Sequence, residues 1–297
     1  MSESILKVEN LTKKFKDNIA VNDLSFEINK GEVFGIIGQN GAGKSTLFRC
    51  MLNYFTDYSG KILYMNNDMS KIKLKDIAFL PEERSLQEKS TVKEQIKFFS
   101  KLNKFKVTDE KIDQMIEYFE VKGKKEDKIK SLSKGNMQKV QLICAMIYEP
   151  ELLILDEPFS GLDPSNIKLL QRIIIDYKQK GKTIIFSSHN MENIENVSDR
   201  LMMLKDGKKV LYGTIKQIRD EFERLDITVE TDEDLSFLQE YDYVEKIEKK
   251  DYWHIRINDE KKGEQIYRIL NEKYGFLSLF SQQPPTLNEI FNMKVKS

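Results

Sequence analysis

One short stretch, Gly38-Gln39-Asn40-Gly41-Ala42-Gly43-Lys44-Ser45-Thr46, restricts what this chain can fold into more than any other part of it. It satisfies the spacing G-x-x-x-x-G-K-[ST], with Gly38 and Gly43 as anchors. Residues 33–37 before it are a short apolar run of buried-strand type, and residues 47–52 after it can begin a helix. Glycines let such a loop wrap so that backbone N–H groups face anionic oxygens, and the following helix adds the positive end of its dipole. Gly38, Asn40, Gly41, Ala42, Gly43 and Thr46 would form the cradle, Lys44 would reach β- and γ-phosphates, and the Ser45 hydroxyl would ligate Mg²⁺. A Gly-rich turn with no ligand is the competing reading, and it leaves the strand–loop–helix context unexplained.

A second motif narrows the choice. Residues 151–158 are an apolar run closing on Asp156-Glu157-Pro158. Continuous apolar strands belong to parallel sheets covered on both faces, and ligands of such sheets sit at the strands' carboxyl ends. Asp156 can hold Mg²⁺ or a water of its shell. Glu157, one residue on and pointing elsewhere, suits a general base for an attacking water. Between the two motifs lies Leu132-Ser133-Lys134-Gly135-Asn136, before a helical pattern over residues 137–148. Alone this is no more than a helix cap.

Taken together and in this order, these residues resemble the ATP-binding subunits of ABC transporters. The family signature is usually Leu-Ser-Gly-Gly-Gln; here Lys134 and Asn136 replace two of its positions. The Ser133 hydroxyl and the Gly135 N–H at a helix start can still meet a γ-phosphate. Ser160-Gly161-Leu162-Asp163 resembles the loop joining two subunits across their interface, which assigns Ser160 and Asp163 to a dimer contact. His189, after the apolar run 183–186, resembles the switch histidine, and Phe15 stands where the family stacks an aromatic ring on adenine. Base–aromatic stacking of that kind contributes about 1–3 kcal/mol. The chain departs from the family after residues 77–80, where Leu80-Pro81-Glu82-Glu83-Arg84 places Glu82 at a position usually held by Gln. A carboxylate is a better ligand for a hard cation than an amide, so Glu82 joins Ser45 and Asp156 as a metal candidate. Similar Glu variants occur in the exporter branch.

The resemblance implies an ATPase with ATP and Mg²⁺ as ligands, in which two subunits sandwich two ATP molecules. Lys44, Ser45, Asp156, Glu157 and His189 of one chain would face Ser133 and Gly135 of the other, with Glu157, His189 and Lys44 as the catalytic set. It implies a homodimer or a heterodimer with a second ABC ATPase, and a separate integral membrane permease subunit through which transport, more specifically export, is powered. The implied location is cytoplasmic, peripheral on the inner face of the cell membrane. The rival is a soluble ABC ATPase acting on DNA or ribosomes. DNA-repair relatives separate the two half-motifs by a long coiled coil, absent here, and translation relatives usually carry two nucleotide domains per chain, where this has one.

Composition fits this picture. The 297 residues are 40% hydrophobic and 32% charged, with net charge zero, which suits globular domains and gives no electrostatic case for nucleic acid. The N-terminus lacks a secretory leader, and no stretch approaches the roughly 20 apolar residues of a membrane span. Cys50 and Cys144 fall in helical patterns and read as packed thiols of a reducing compartment. His254 and Trp253 lie in an alternating stretch and read as packing residues.

The expected fold is α/β: a P-loop NTPase domain of the ABC type over residues 1–220, with antiparallel β and helical subdomains, the latter at about 85–150. Strands are expected at 5–8 and 24–28, joined by a loop containing Phe15, with helices in the Lys-rich segment 92–130. Asp206-Gly207 between two apolar runs signals a hairpin. Residues 221–297 read β (226–231), α (234–240), β (243–248), β (252–257), α (263–274), β (276–281), the ferredoxin-like order. They form an α+β accessory domain for dimerisation or regulation.

Overall fold

A computed structural model describes residues 3–69, 72, 74–83 and 85–296. The contacts divide the chain into Met1–Gly213 and Thr214–Ser297, so residues 215–220 go with the second unit.

In the first unit, β1 (Ser4–Phe15) and β2 (Asn18–Asn29) form a long antiparallel hairpin. It extends well beyond the strands expected at 5–8 and 24–28, and Phe15 is the last residue of β1 rather than part of a loop. Register shifts absorb the polar stretches between, and Lys16, at φ 52, makes the turn. The phosphate-loop strand β3 (Val33–Ile37) leads to α1 (Lys44–Met51). β4 (Ser59–Tyr64) and β5 (Asn67–Asp68) then complete a sheet of order β2-β1-β4-β5.

The second sheet takes β6 (Ile77–Leu80), β7 (Leu152–Leu155), β8 (Thr183–Ser188), β9 (Arg200–Lys205) and β10 (Lys208–Gly213), in the order β10-β9-β3-β8-β7-β6. From β9 to β6 every pairing is parallel, while β9 and β10 form an antiparallel hairpin. Every residue of β3, β7 and β8 is buried, as expected of parallel strands covered on both faces. Leu47 and Phe48 of α1 are fully buried in one apolar cluster with Phe34, Ile154, Ile185 and Met202 of this sheet and Leu11 and Ile62 of the other. Each such side chain contributes about 1.5–3 kcal/mol on burial, so the helix that starts at the phosphate loop is fixed from both sheets.

The segment after β6 is helical. α2 (Val92–Leu102) opens on a capping box: Glu94 N–H donates to Thr91 Oγ1 at 3.2 Å and Thr91 N–H to Glu94 Oε2 at 2.8 Å. α3 (Asp109–Tyr118) is capped by Thr108. α4 (Lys134–Met146) is capped by Ser133, and α5 (Pro164–Gln179) by Asp163 with Pro164 in its first turn. α6 (Met191–Val197) follows β8. Cys50 and Cys144 are buried free thiols. Burial pushes the Cys50 thiol up to about 11 and the Cys144 thiol higher still. Among the described residues no helix is long and apolar enough to cross a membrane.

The second unit starts with α7 (Ile215–Asp220). It builds a sheet from β11 (Asp226–Glu230), β12 (Val244–Lys249), β13 (Trp253–Ile257) and β14 (Leu279–Gln283) in the order β12-β13-β11-β14, every pairing antiparallel. With α8 (Lys262–Tyr274) crossing before β14, this is the ferredoxin-like arrangement. The expected first helix is reduced to a 3-10 turn, Ser236–Glu240. At its start Asp234 Oδ1 takes both the N–H (2.9 Å) and the hydroxyl (2.6 Å) of Ser236. Trp253 is buried, its indole donating to the Glu233 carbonyl at 3.0 Å. α9 (Leu287–Lys296) closes the chain.

Candidate nucleotide site

The phosphate loop leaves the carboxyl end of β3, next to β8 and one strand from β7, so three sheet ends converge there. A cavity of about 500 Å³ opens at this edge, lined by Phe15, Lys44, Ser45, Glu82 and Glu157 with Asn40, Gly41, Ala42, Gly43 and Thr46. The loop geometry depends on glycine. Gly43 has φ 104, and a Cβ there would lie 2.3 Å from the Ala20 carbonyl oxygen; at Gly38 one would lie 2.7 Å from that of Leu204. No side chain caps α1, so the N–H groups of its first turn are free to meet an anion.

Lys44 is almost wholly buried. Its ammonium donates to the Gly38 carbonyl at 2.7 Å and the Gln39 carbonyl at 3.3 Å, and stands 3.4 Å from Glu157 Oε1. That distance and its direction do not make a hydrogen bond: Oε1 is a buried carboxylate oxygen with no hydrogen-bond partner. The other oxygen, Oε2, lies 2.9 Å from His189 Nδ1. Glu157 itself is held at φ 48, left-handed for a residue with a side chain, a strain of the order of 1–3 kcal/mol that persists only when neighbours fix it. Ser187 does the fixing. Its hydroxyl donates to Asp156 Oδ1 at 2.7 Å and accepts from the Glu157 N–H at 2.8 Å.

Ser133, Gly135, Ser160 and Asp163 are not in the cavity lining. Ser133 caps α4 through its hydroxyl, 3.3 Å from the Asn136 N–H. Gly135 borders a separate small hollow with Leu162 and Asn166. Asp163 accepts from the Asn166 N–H at 3.0 Å and its side-chain amide at 2.6 Å, and Ser160 is exposed beside it. The Ser165 hydroxyl, donating to Asp163 Oδ1 at 2.6 Å, together with these Asn166 donors, holds the Asp163 carboxyl down at about 2. The segments 133–136 and 160–166 therefore adjoin on the surface, away from the cavity of their own chain. Glu82 lines the cavity; Arg84 lies outside the described residues.

Sequence reasoning missed Ser187, and also Asn18, Ile19, Ala20, Gln39, Asp206 and Gly207 in the cavity wall. Asp206-Gly207 was visible as a hairpin turn. Its place in the wall depends on the Gly207 N–H donating to the Ala42 carbonyl at 3.1 Å, a contact no local pattern announces.

Comparisons with known proteins match this arrangement. A family profile described as ABC transporter covers residues 21–160, and one described as ATP-binding protein DrrA1-3-like, C-terminal domain, covers residues 213–295. The uncharacterized ABC transporter ATP-binding protein YhaQ of Bacillus subtilis is 37% identical over 98% of this chain and 98% of its own length. The Nod factor export ATP-binding protein I of a Rhizobium species is 33% identical over 74% of each chain. A solved structure of an ATP binding subunit of an ABC transporter superposes with a TM-score of 0.66 at 28% identity, covering 73% of this chain and 92% of that one. The chain belongs to the ABC transporter family of ATP-binding proteins. It is an ATPase subunit of the kind that energises transport, and its nucleotide domain has the fold expected from the sequence.

Proposed function

We propose that this chain pairs with a second ATP-binding subunit, a copy of itself or a homologue, around two ATP molecules, and that closure and reopening of the pair power export through a separate membrane permease. The observation that carries the reading is the Glu157 carboxylate: buried, strained, oriented by His189 through one oxygen, and on the other without a hydrogen bond, 3.4 Å from the phosphate-loop lysine.

ATP would enter with its base against Phe15, a ring about two-fifths exposed at the cavity mouth, and its phosphates over the first turn of α1. Lys44 would exchange its carbonyl contacts for the β- and γ-phosphates. The donor set fits a hard divalent cation: the Ser45 hydroxyl and the Asp156 and Glu82 carboxylates are all oxygen ligands. Mg²⁺ bound there would neutralise phosphate charge as it develops. Glu157 Oε1, which carries no hydrogen bond, would accept the proton of an attacking water, and His189 would keep the carboxylate oriented. Because Ser133 and Gly135 do not line the cavity of their own chain, their use on a γ-phosphate would call on the opposite subunit, and Ser160 and Asp163 would lie in that contact. The first unit, Met1–Gly213, would carry this machinery and the second the accessory contact. Location on the inner membrane face follows from a permease partner, and export is supported by the Nod factor export relative.

The test is Glu157→Gln. It should bind ATP but hydrolyse it roughly 10²–10⁴-fold more slowly and accumulate as an ATP-dependent dimer in light scattering. A variant that remains monomeric at saturating Mg-ATP with the permease present overturns the sandwich.

A further inference from the structure

The end of α2 and the turn beyond it bear a surface the nucleotide site does not use. From Gln95 to Thr108 the only charged side chains are lysines: Lys97, Lys101, Lys104 and Lys106. Phe98, Leu102 and Phe105 lie between them and are 47%, 61% and 37% exposed. Phe98 and Leu102 are one helical turn apart, as are Lys97 and Lys101, so an apolar stripe runs beside a basic one. Asp109 Oδ1 neutralises Lys97 at 2.6 Å. Among the described residues no carboxylate pairs with Lys101, Lys104 or Lys106. The turn is also fixed. Ser100, 1% exposed, donates through its hydroxyl to the Phe105 carbonyl at 2.7 Å, and the Phe105 N–H donates back to the Ser100 carbonyl at 2.9 Å. A hollow of about 370 Å³ opens among the four lysines, Ser100, Phe105 and Val107.

We propose that this tip is a docking surface for anionic phospholipid: Leu102, Phe98 and Phe105 enter the boundary of the acyl chains while Lys101, Lys104 and Lys106 meet the phosphate headgroups. Amphipathic segments with lysine on one face and Phe or Leu on the next bind bilayers in this way. The chain carries no net charge and so supplies no wider basic field to steer a polyanionic strand, which separates this surface from a single-strand nucleic-acid platform. The inference stands on its own residues. The lysines lie outside the ATP cavity, so its failure leaves the proposed ATPase mechanism untouched, and ATPase rates of each variant without lipid report that mechanism separately.

The experiment is flotation of the full chain with vesicles of phosphatidylcholine alone and of phosphatidylcholine with one quarter phosphatidylglycerol. Binding should require the anionic lipid and weaken as salt rises. K101E/K104E/K106E should lower the partition constant by about 100-fold, since each lysine near an anionic leaflet adds about a factor of five, while K101R/K104R/K106R should retain it. L102W, on vesicles brominated along the acyl chains, should show quenched fluorescence that the single native Trp253, buried in the second unit, does not. Equal binding to both vesicles, retention by the glutamate variant, or an unquenched L102W overturns the proposal. So does displacement by millimolar inorganic phosphate or by a single-stranded oligonucleotide, either of which would make the tip a soluble-anion or nucleic-acid site.

Discussion

Glu157 Oε2 and His189 Nδ1 stand 2.9 Å apart, so one contact joins the end of β7 to the residue that follows β8. Glu157 is 7% exposed while the His189 side chain is 60% exposed. The carboxylate is thus held from the solvent side by an exposed imidazole, while the buried Ser187 hydroxyl fixes the backbone beneath it by accepting from the Glu157 N–H at 2.8 Å.

Replacing His189 by Ala should therefore leave ATP affinity nearly unchanged and lower kcat about 10²–10³-fold, because an unoriented base is a poor one. Equilibrium binding of a fluorescent ATP analogue beside steady-state hydrolysis separates the two. A variant with native kcat would mean that Ser187 alone orients Glu157.

The Lys44–Glu157 pair makes a second claim, about stability. Lys44→Met leaves a buried carboxylate with no cation near it, so the nucleotide-free protein should lose roughly 1–3 kcal/mol. In Lys44→Met/Glu157→Gln that loss should largely vanish. Urea unfolding of the four forms gives the coupling, and strictly additive effects would show the pair contributes nothing. ATP hydrolysis should be abolished in both forms that lack Lys44.

At Gly43 the limit is steric. Gly43→Ala puts a methyl 2.3 Å from the Ala20 carbonyl on a backbone at φ 104. Strain of the order of 1–3 kcal/mol should lower the melting temperature by several degrees and displace the first turn of α1, removing ATP binding. Native melting together with native ATP affinity would contradict the packing of this loop against β2.

Glu82→Gln should shift the Mg²⁺ dependence of hydrolysis to modestly higher concentrations, since a neutral oxygen replaces an anionic one. Metal-free nucleotide binding should be unchanged or slightly tighter, with one negative charge fewer near the phosphates. An Mg²⁺ titration of the ATPase rate, with and without the permease, decides it; superimposable curves in both settings exclude Glu82 from metal binding and coupling alike.

What the sequence made legible was whatever its chemistry stated locally. β3, the glycine loop and α1 are consecutive, and the apolar run ending at Asp156 and Glu157 needs nothing distant to be read as a buried strand. The order of the second domain's elements could likewise be followed from its alternation and turns. What stayed hidden were properties set by pairing. That β3 lies between β8 and β9, and that Ser187 reaches across to both acids of β7, are products of sheet order. The length of the β1–β2 hairpin was missed because its bulges break strict alternation, and the 3-10 form of residues 236–240 has no local signal in the sequence.

Gly207 donates to Ala42 at 3.1 Å and accepts from the Asn22 N–H at 2.9 Å, pinning the phosphate loop and the first hairpin to the last hairpin of the unit. A growing polypeptide therefore displays its glycine loop early but lacks the wall that braces it until residue 207 has left the ribosome. The brace on the nucleotide cradle is thus completed late in synthesis, when almost the whole first unit has been made.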